Sequence, residues 1–259
     1  MPSTSDLDAL AQQRMRRALT GAVVIIVIFA TIIASLLSGS DADPAPSPAP
    51  ASTAAAPTPS PAPVTPSTAS GYVAPQRWTT LPDGAHLLQR TYRVGFPRTS
   101  QGAAAAAAAM FQSVWNLDPS RATRAVQVYF APADRAIFRT HAITNTTWMR
   151  QQIGLPADGE LPPDASVAVQ VTGVQWRIVD SDNVHVSVNM KLDLLAGVGA
   201  PLHTIPAAST AHLRWHPGVR GGDWLVAQTA ADQMPRPEHA EVGTTAFNTA
   251  GWLAIRPGR

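Results

Sequence analysis

The sequence predicts an α+β fold: about three helices packed on one face of a bent, four-stranded antiparallel sheet, carried behind an N-terminal anchor and an extended spacer. Three observations predict it. Helix signals with capping residues run from Thr99 to Gly154, period-two alternation takes over from Val167, and an uncharged apolar run is set apart from both by proline-rich chain. Helices first and strands afterwards, without interleaving, is the order of α+β architecture rather than of a parallel α/β sheet.

The apolar run, Ala18 to Leu37, reads ALTGAVVIIVIFATIIASLL. About twenty uncharged residues at 1.5 Å each match the roughly 30 Å hydrocarbon core of a bilayer, so residues 18–38 are expected to form a transmembrane helix. Arg14, Arg16 and Arg17 precede it and Asp41 and Asp43 follow, which places residues 1–17 in the cytoplasm and the rest outside. A cleaved signal peptide is the rival reading, but its apolar region runs about 7–15 residues and ends in a small-x-small site, whereas this run is longer and ends Leu36-Leu37-Ser38-Gly39. Residues 39–75 carry ten of the 24 prolines among Ala, Ser and Thr, with almost nothing to bury. At about 3.1 Å per residue in polyproline II, such a spacer reaches on the order of 100 Å.

A globular composition begins at Gln76 and includes all seven tryptophans. His86–Val94 reads as a short strand or arm closed by Gly95-Phe96-Pro97. Thr99 or Ser100 caps a helix through seven consecutive alanines, Ala103 to Ala109, whose slim surface lets another element approach closely. Asp118-Pro119 is an N-cap followed by proline at the first helical position, starting a second helix toward Tyr129. Pro132 opens a third, ended by Gly154 and Pro156.

Val167, Val169 and Val171 then alternate with small or polar residues, and Val174, Trp176 and Ile178 continue on the opposite parity, so Gly173 marks a bulge or bend. Asp180-Ser181-Asp182-Asn183 makes a turn. The next strand puts Val184, Val186, Val188, Met190, Leu192 and Leu194 on one face and His185, Ser187, Asn189, Lys191 and Asp193 on the other. Ala211, Leu213 and Trp215 set a third strand and Trp224 to Thr229 a fourth. The domain is expected to span 76–234, with 235–259 a tail holding a weak helical pattern around Glu241 to Leu253.

Chemistry has few footholds. With no cysteine there is no disulfide, thiolate, Cys-type zinc site or lipoprotein anchor. Residues 76–259 hold 16 basic and 13 acidic groups, a net charge of +3 with no run of bases, so direct nucleic-acid binding is not expected. No Gly-x-Ser-x-Gly, phosphate loop or dinucleotide motif occurs. His212 and His216, four apart on a strand, sit about 13 Å apart, too far to share a metal. Asn145-Thr146-Thr147 matches a glycosylation sequon inside a predicted helix. Neither cofactor nor metal is expected, and no enzymatic activity. The polar strip His185, Ser187, Asn189, Lys191, Asp193, with His212 and Arg214 on the neighbouring strand, is the candidate interaction face for a second subunit or partner.

The order of anchor, three helices and four strands resembles the NTF2-like (cystatin-like) cone as used by VirB8-type and TcpC-like components of type IV secretion and conjugation systems. Gly95-Phe96-Pro97-Arg98-Thr99-Ser100-Gln101-Gly102-Ala103 looks like the opening of actinobacterial membrane-anchored domains of conjugation-type clusters. The resemblance covers roughly residues 90–232, and the Asn-Pro-x-Gly turn typical of VirB8 domains is missing. It implies a non-catalytic, single-pass scaffold with its domain outside the cell membrane, other machine subunits as partners, and homo-oligomers. NTF2-like enzymes place acid–base pairs inside the cone, for which Tyr129, His141, Asp193 and His212 are the candidates here. A ligand-binding or enzymatic NTF2-like domain, or an accessory membrane protein of a lipid-import (Mce) system, has the same layout.

Overall fold

A computed structural model describes residues 71–256. The expected anchor at 18–38, the cytoplasmic segment before it and the spacer up to residue 70 lie outside the described residues. Among the described residues no helix is long and apolar enough to cross a membrane.

The fold is mixed α+β. After β1 (Trp78–Thr79), the segment read as one strand is a hairpin of β2 (His86–Leu88) and β3 (Tyr92–Val94). Gln89 and Arg90 turn it with φ of 52° and 58°. Three helices follow: α1 (Ser100–Val114), α2 (Pro119–Tyr129) and, after a 3-10 turn at Pro132–Asp134, α3 (Arg135–Gln152). The predicted caps hold. Thr99 accepts from the Gly102 amide, and Asp118 accepts from the amides of Ser120 and Arg121.

The strands β4 (Ser166–Ile178), β5 (Asn183–Leu195), β6 (His203–His216) and β7 (Asp223–Val226) pair antiparallel in sequence order. The register of β4 slips between Val171 and Gly173, where the change of parity predicted a bulge. The sheet has six strands rather than four. A short helix α4 (Thr245–Thr249) leads into β8 (Leu253–Ile255), which pairs antiparallel with β4 and parallel with β1, giving the order β1-β8-β4-β5-β6-β7. Three further boundaries differ from expectation, the first being the fourth strand, which runs Asp223–Val226 rather than Trp224 to Thr229. The third strand begins at His203 rather than Ala211, and residues 235–256 pack onto the sheet instead of trailing from it.

The core lies between the helices and one face of the sheet. Val186, Val188, Met190, Leu192 and Leu194 are each 0% exposed, as are Ala103, Ala104, Ala107, Val126 and Met149 opposite them. The alanines let α1 come close: a Cβ on Gly102 would lie only 1.9 Å from the Pro97 carbonyl oxygen. Each buried Val, Leu or Met contributes about 1.5–3 kcal/mol, so this one face supplies most of the driving force for folding.

Asp223 fastens the Gly95-Phe96-Pro97 segment to the sheet. Its carboxylate, 1% exposed, accepts from the amides of Gly95 at 2.8 Å, Phe96 at 3.2 Å and Trp224 at 2.9 Å, and from Arg220 Nε at 2.9 Å. Trp224 Nε1 donates to the Pro97 carbonyl, and Arg98 pairs with Asp182. Behind α2, the buried Arg150 donates to the carbonyls of Leu117, Pro156 and Gly159, joining two loops to α3.

Candidate functional site

The polar strip is not free surface. His185, Ser187 and Asn189 on β5, with Thr210 and His212 on β6, are 0–6% exposed, because residues 233–242, α4 and Trp252 lie across them. The expected interaction face is therefore corrected in its central part: what docks there is the chain's own C-terminal segment.

The docking is built from side chains that read backbone. Asn189 Nδ2 donates to the Ala240 carbonyl at 2.8 Å while its Oδ1 accepts from the Ala240 amide at 3.2 Å, and Nδ2 also reaches Thr172 Oγ1 at 2.8 Å. Thr210 Oγ1 donates to the Pro235 carbonyl at 2.9 Å, which leaves the Ser187 hydroxyl to donate to Thr210 at 2.7 Å. Arg177 Nη2 donates to His185 Nδ1 at 2.9 Å and to the Gln233 carbonyl. Lys191 pairs with Glu241 at 3.0 Å, Asp193 accepts from Thr204 at 2.6 Å, and the exposed Arg214 donates to Asn183 at 3.1 Å.

An apolar seal completes the cover: Phe247, Trp252 and Ala254, each at most 1% exposed, with Ala240. The Gly173 bulge receives the Phe247 ring, which would lie 2.9 Å from a Cβ there. The imidazoles of His185 and His212 meet edge-on at 5.0 Å. Burial, reinforced by His185 and Arg214, pushes His212 down to about 4, and burial with Arg177 lowers His185, so both rings are neutral near pH 7.

The acid–base candidates do not converge. Tyr129 donates to the Arg93 carbonyl at 3.0 Å, and burial raises its pKa. Asp193 is held by Thr204 at the far end of β5. Only His141 and His212 share a cavity, of about 90 Å³, between α1, α3 and the point where β6 loses β7. His212 faces the C-terminal segment, on the same side as its cross-strand partner His185, so it borders this cavity from the sheet edge. The other walls are apolar, among them Phe111, Trp115, Phe138 and Ala142, with Met234, Gln228 and Thr229 toward the mouth. Asn145, 4% exposed, lines it too, and its Oδ1 has no partner among the described residues. The sequence showed Asn145 only as a sequon match. Its place on the α3 face of Phe138, Ala142 and Met149 was the signal available.

Among the described residues no group of three or more His, Asp or Glu side chains is placed to hold a metal ion. A more open hollow of about 620 Å³ between β3, α1 and α2 is lined by Arg93, Arg121 and Arg124; Arg93 pairs with Asp83 and Arg121 with Asp118.

The sheet edge lacks a neighbouring strand, among the described residues, along Ser166–Val171 of β4, which meets β8 only at Gly173 and Val174, and along part of β6. Ala227 N donates to His212 O on the β7 side, and Trp215 N donates to Asp182 O on the β5 side. Even-numbered β6 residues therefore aim their backbone groups away from β5. β7 meets β6 only at Leu213–His216, so the outward groups of Thr204, Pro206, Ala208 and Thr210 have no strand beside them among the described residues.

No family profile matches the chain, and neither the curated proteins nor the solved structures compared with it give a match.

Proposed function

We propose that this protein is a non-catalytic, membrane-anchored assembly component of a conjugative transfer or secretion machine, acting through protein–protein contacts of an extracytoplasmic NTF2-like domain. The observation that carries the reading is the β6 edge. The helices cover one face of the sheet and the C-terminal segment covers the middle of the other, while on β6 the outward backbone groups of Thr204, Ala208 and Thr210 and the Pro206 carbonyl have no strand beside them among the described residues. Such an edge is completed by an added strand from another chain, with main-chain hydrogen bonds giving affinity. Natural proteins blunt edges they do not use, and here the only blunting feature on this stretch is Pro206. The order of three helices and antiparallel strands supports the cone, and the apolar run at 18–38 with its arginines supports the anchor. A tether concentrates such a domain at the membrane, and a long spacer lets it search for partners.

Affinity purification of the full chain from membranes, with its anchor intact, tests the proposal. Other subunits of a channel or its coupling ATPase are expected to co-purify. Recovery of the chain alone, under conditions that hold other membrane complexes together, would contradict it. Ala208→Pro sharpens the test, since it deletes an outward amide without touching the β5 ladder, as the native Pro206 already does; it should reduce co-purification several-fold.

A ligand-binding reading has one observation in its favour, the apolar cavity beside Asn145. Co-purifying Mce subunits instead of a coupling ATPase would favour the lipid-import variant of the scaffold.

A further inference from the structure

We infer that the cavity between α1, α3 and β6 is a binding site for a small apolar molecule that carries a single hydroxyl group, a phenol or a short-chain alcohol. The site does not rest on the assembly reading; it rests on a mismatch between the cavity and one of its residues. Most of its walls are aromatic and aliphatic, with Thr210, His212, Gln228 and Thr229 bordering it from the sheet side, and a mostly apolar hollow of this kind takes apolar guests. Asn145 is nonetheless buried in that wall, with its Oδ1 unpartnered among the described residues.

An unpaired buried amide costs stability unless something satisfies it. Phe111, Phe138 and Ala142 carry no polar side-chain atoms, and none of the polar side chains that also line the cavity, His141, Thr210, His212, Gln228 and Thr229, hydrogen-bonds to Oδ1. A hydroxyl suits the position, because it donates to Oδ1 or accepts from Nδ2 whichever way the amide is turned. The space of about 90 Å³, open at one end, holds the head of one ring or short chain and excludes polycyclic ligands.

The test uses the full chain in lipid nanodiscs with 13C-methyl methionine, phenol and toluene being the probes, their free aqueous concentrations measured directly. Met110 and Met234 line the cavity, whereas Met149 and Met190 sit in the sealed core and report the fold. Saturable shifts of Met110 and Met234 alone are expected, with dissociation constants on the order of 0.1–1 mM for ligands this small.

Asn145→Leu should lower the ratio of phenol to toluene affinity about fivefold, the worth of one net hydrogen bond, and should raise the melting temperature because it removes an unpaired amide. Ala142→Leu, which fills the hollow, should abolish binding of both probes while Met149 and Met190 stay unshifted. Absence of saturable shifts, equal shifts at all four methionines, or an unchanged affinity ratio in Asn145→Leu would overturn the inference. None of these outcomes bears on whether partner subunits co-purify.

Discussion

Replacing Asp223 with alanine strands four donors at once, and the structure sets how much that costs. The amides of Phe96 and Trp224 lie in fully buried residues, so each loses its acceptor with no access to water, at about 1–3 kcal/mol apiece. The Gly95 amide is only half-buried. Arg220, whose side chain is 21% exposed, recovers water and keeps its bond to the Val128 carbonyl, so the pair itself counts for less than a sealed one. Together these give a loss of about 3–5 kcal/mol. For a domain of this size that corresponds to a fall in melting temperature of roughly 10 °C. Tryptophan fluorescence during urea unfolding of the full chain reads it directly, because Trp224 is adjacent and packs edge-on to Trp215 at 5.4 Å. Asp223→Asn, which retains one acceptor, should fall between alanine and wild type. A loss below about 1 kcal/mol for Asp223→Ala would refute the claim that this carboxylate fastens the Gly95-Phe96-Pro97 segment.

Asn189→Ala should cost about 2–4 kcal/mol, and hydrogen exchange at the Ala240 amide should rise to that of an exposed loop; retained protection would show that the C-terminal segment is held by something else. Gly102→Ala gains about 1 kcal/mol of helix propensity yet forces α1 away from Pro97, so a net destabilisation of about 1–2 kcal/mol is expected by thermal melting, and a stabilised variant contradicts the close approach. Acid should weaken the fold well before its carboxylates titrate. With His212 at about 4 when folded and near 6.5 unfolded, the unfolded chain binds the extra proton between those values. Stability is therefore full above pH 6.5, falls as the pH drops, and levels near pH 4, by about 3 kcal/mol from this ring alone. His141, His185, His216 and His239 are lowered as well and act in the same direction. Urea midpoints at pH 7.5 and 4.5 measure the loss, His212→Gln should shrink it, and a flat profile would contradict the neutral burial of these rings.

The helices were legible because their signals are local. Thr99 and Asp118 cap within three residues, and the alanine run has one good conformation. The β4 bulge was legible for the same reason, since a change of parity at Gly173 needs no distant partner. What covers the polar face of β5 was not. Alternation divides Val184 to Leu194 from His185 to Asp193, but a polar face that meets water and one that meets backbone carbonyls carry the same residues. Asn189 read as part of a face for another subunit until the segment that supplies its partner, Ala240, is folded over it, and Thr210 meets the Pro235 carbonyl in the same way. The early part of β6 was hidden by composition: Pro206, Ala207, Ala208 and Ser209 show no apolar alternation, although Ile205 and Ala207 are buried. Strands as short as β1 and β8 carry no periodicity to detect, and only their partners define them. Asn145 appeared in the sequence only as a sequon match, because the cavity it lines is a property of three elements together.

Partner binding at the unpaired β6 edge is read out by photo-crosslinking in cells that carry the surrounding genes. A crosslinking amino acid at position 204 or 206, both exposed on that edge, is compared with one at the equally exposed Gln127 of α2. Adducts with one partner chain or a second copy are expected from 204 and 206, lost when Ala208→Pro is added, with none from 127. Adducts from 127 with none from 204 and 206 would contradict binding at that edge.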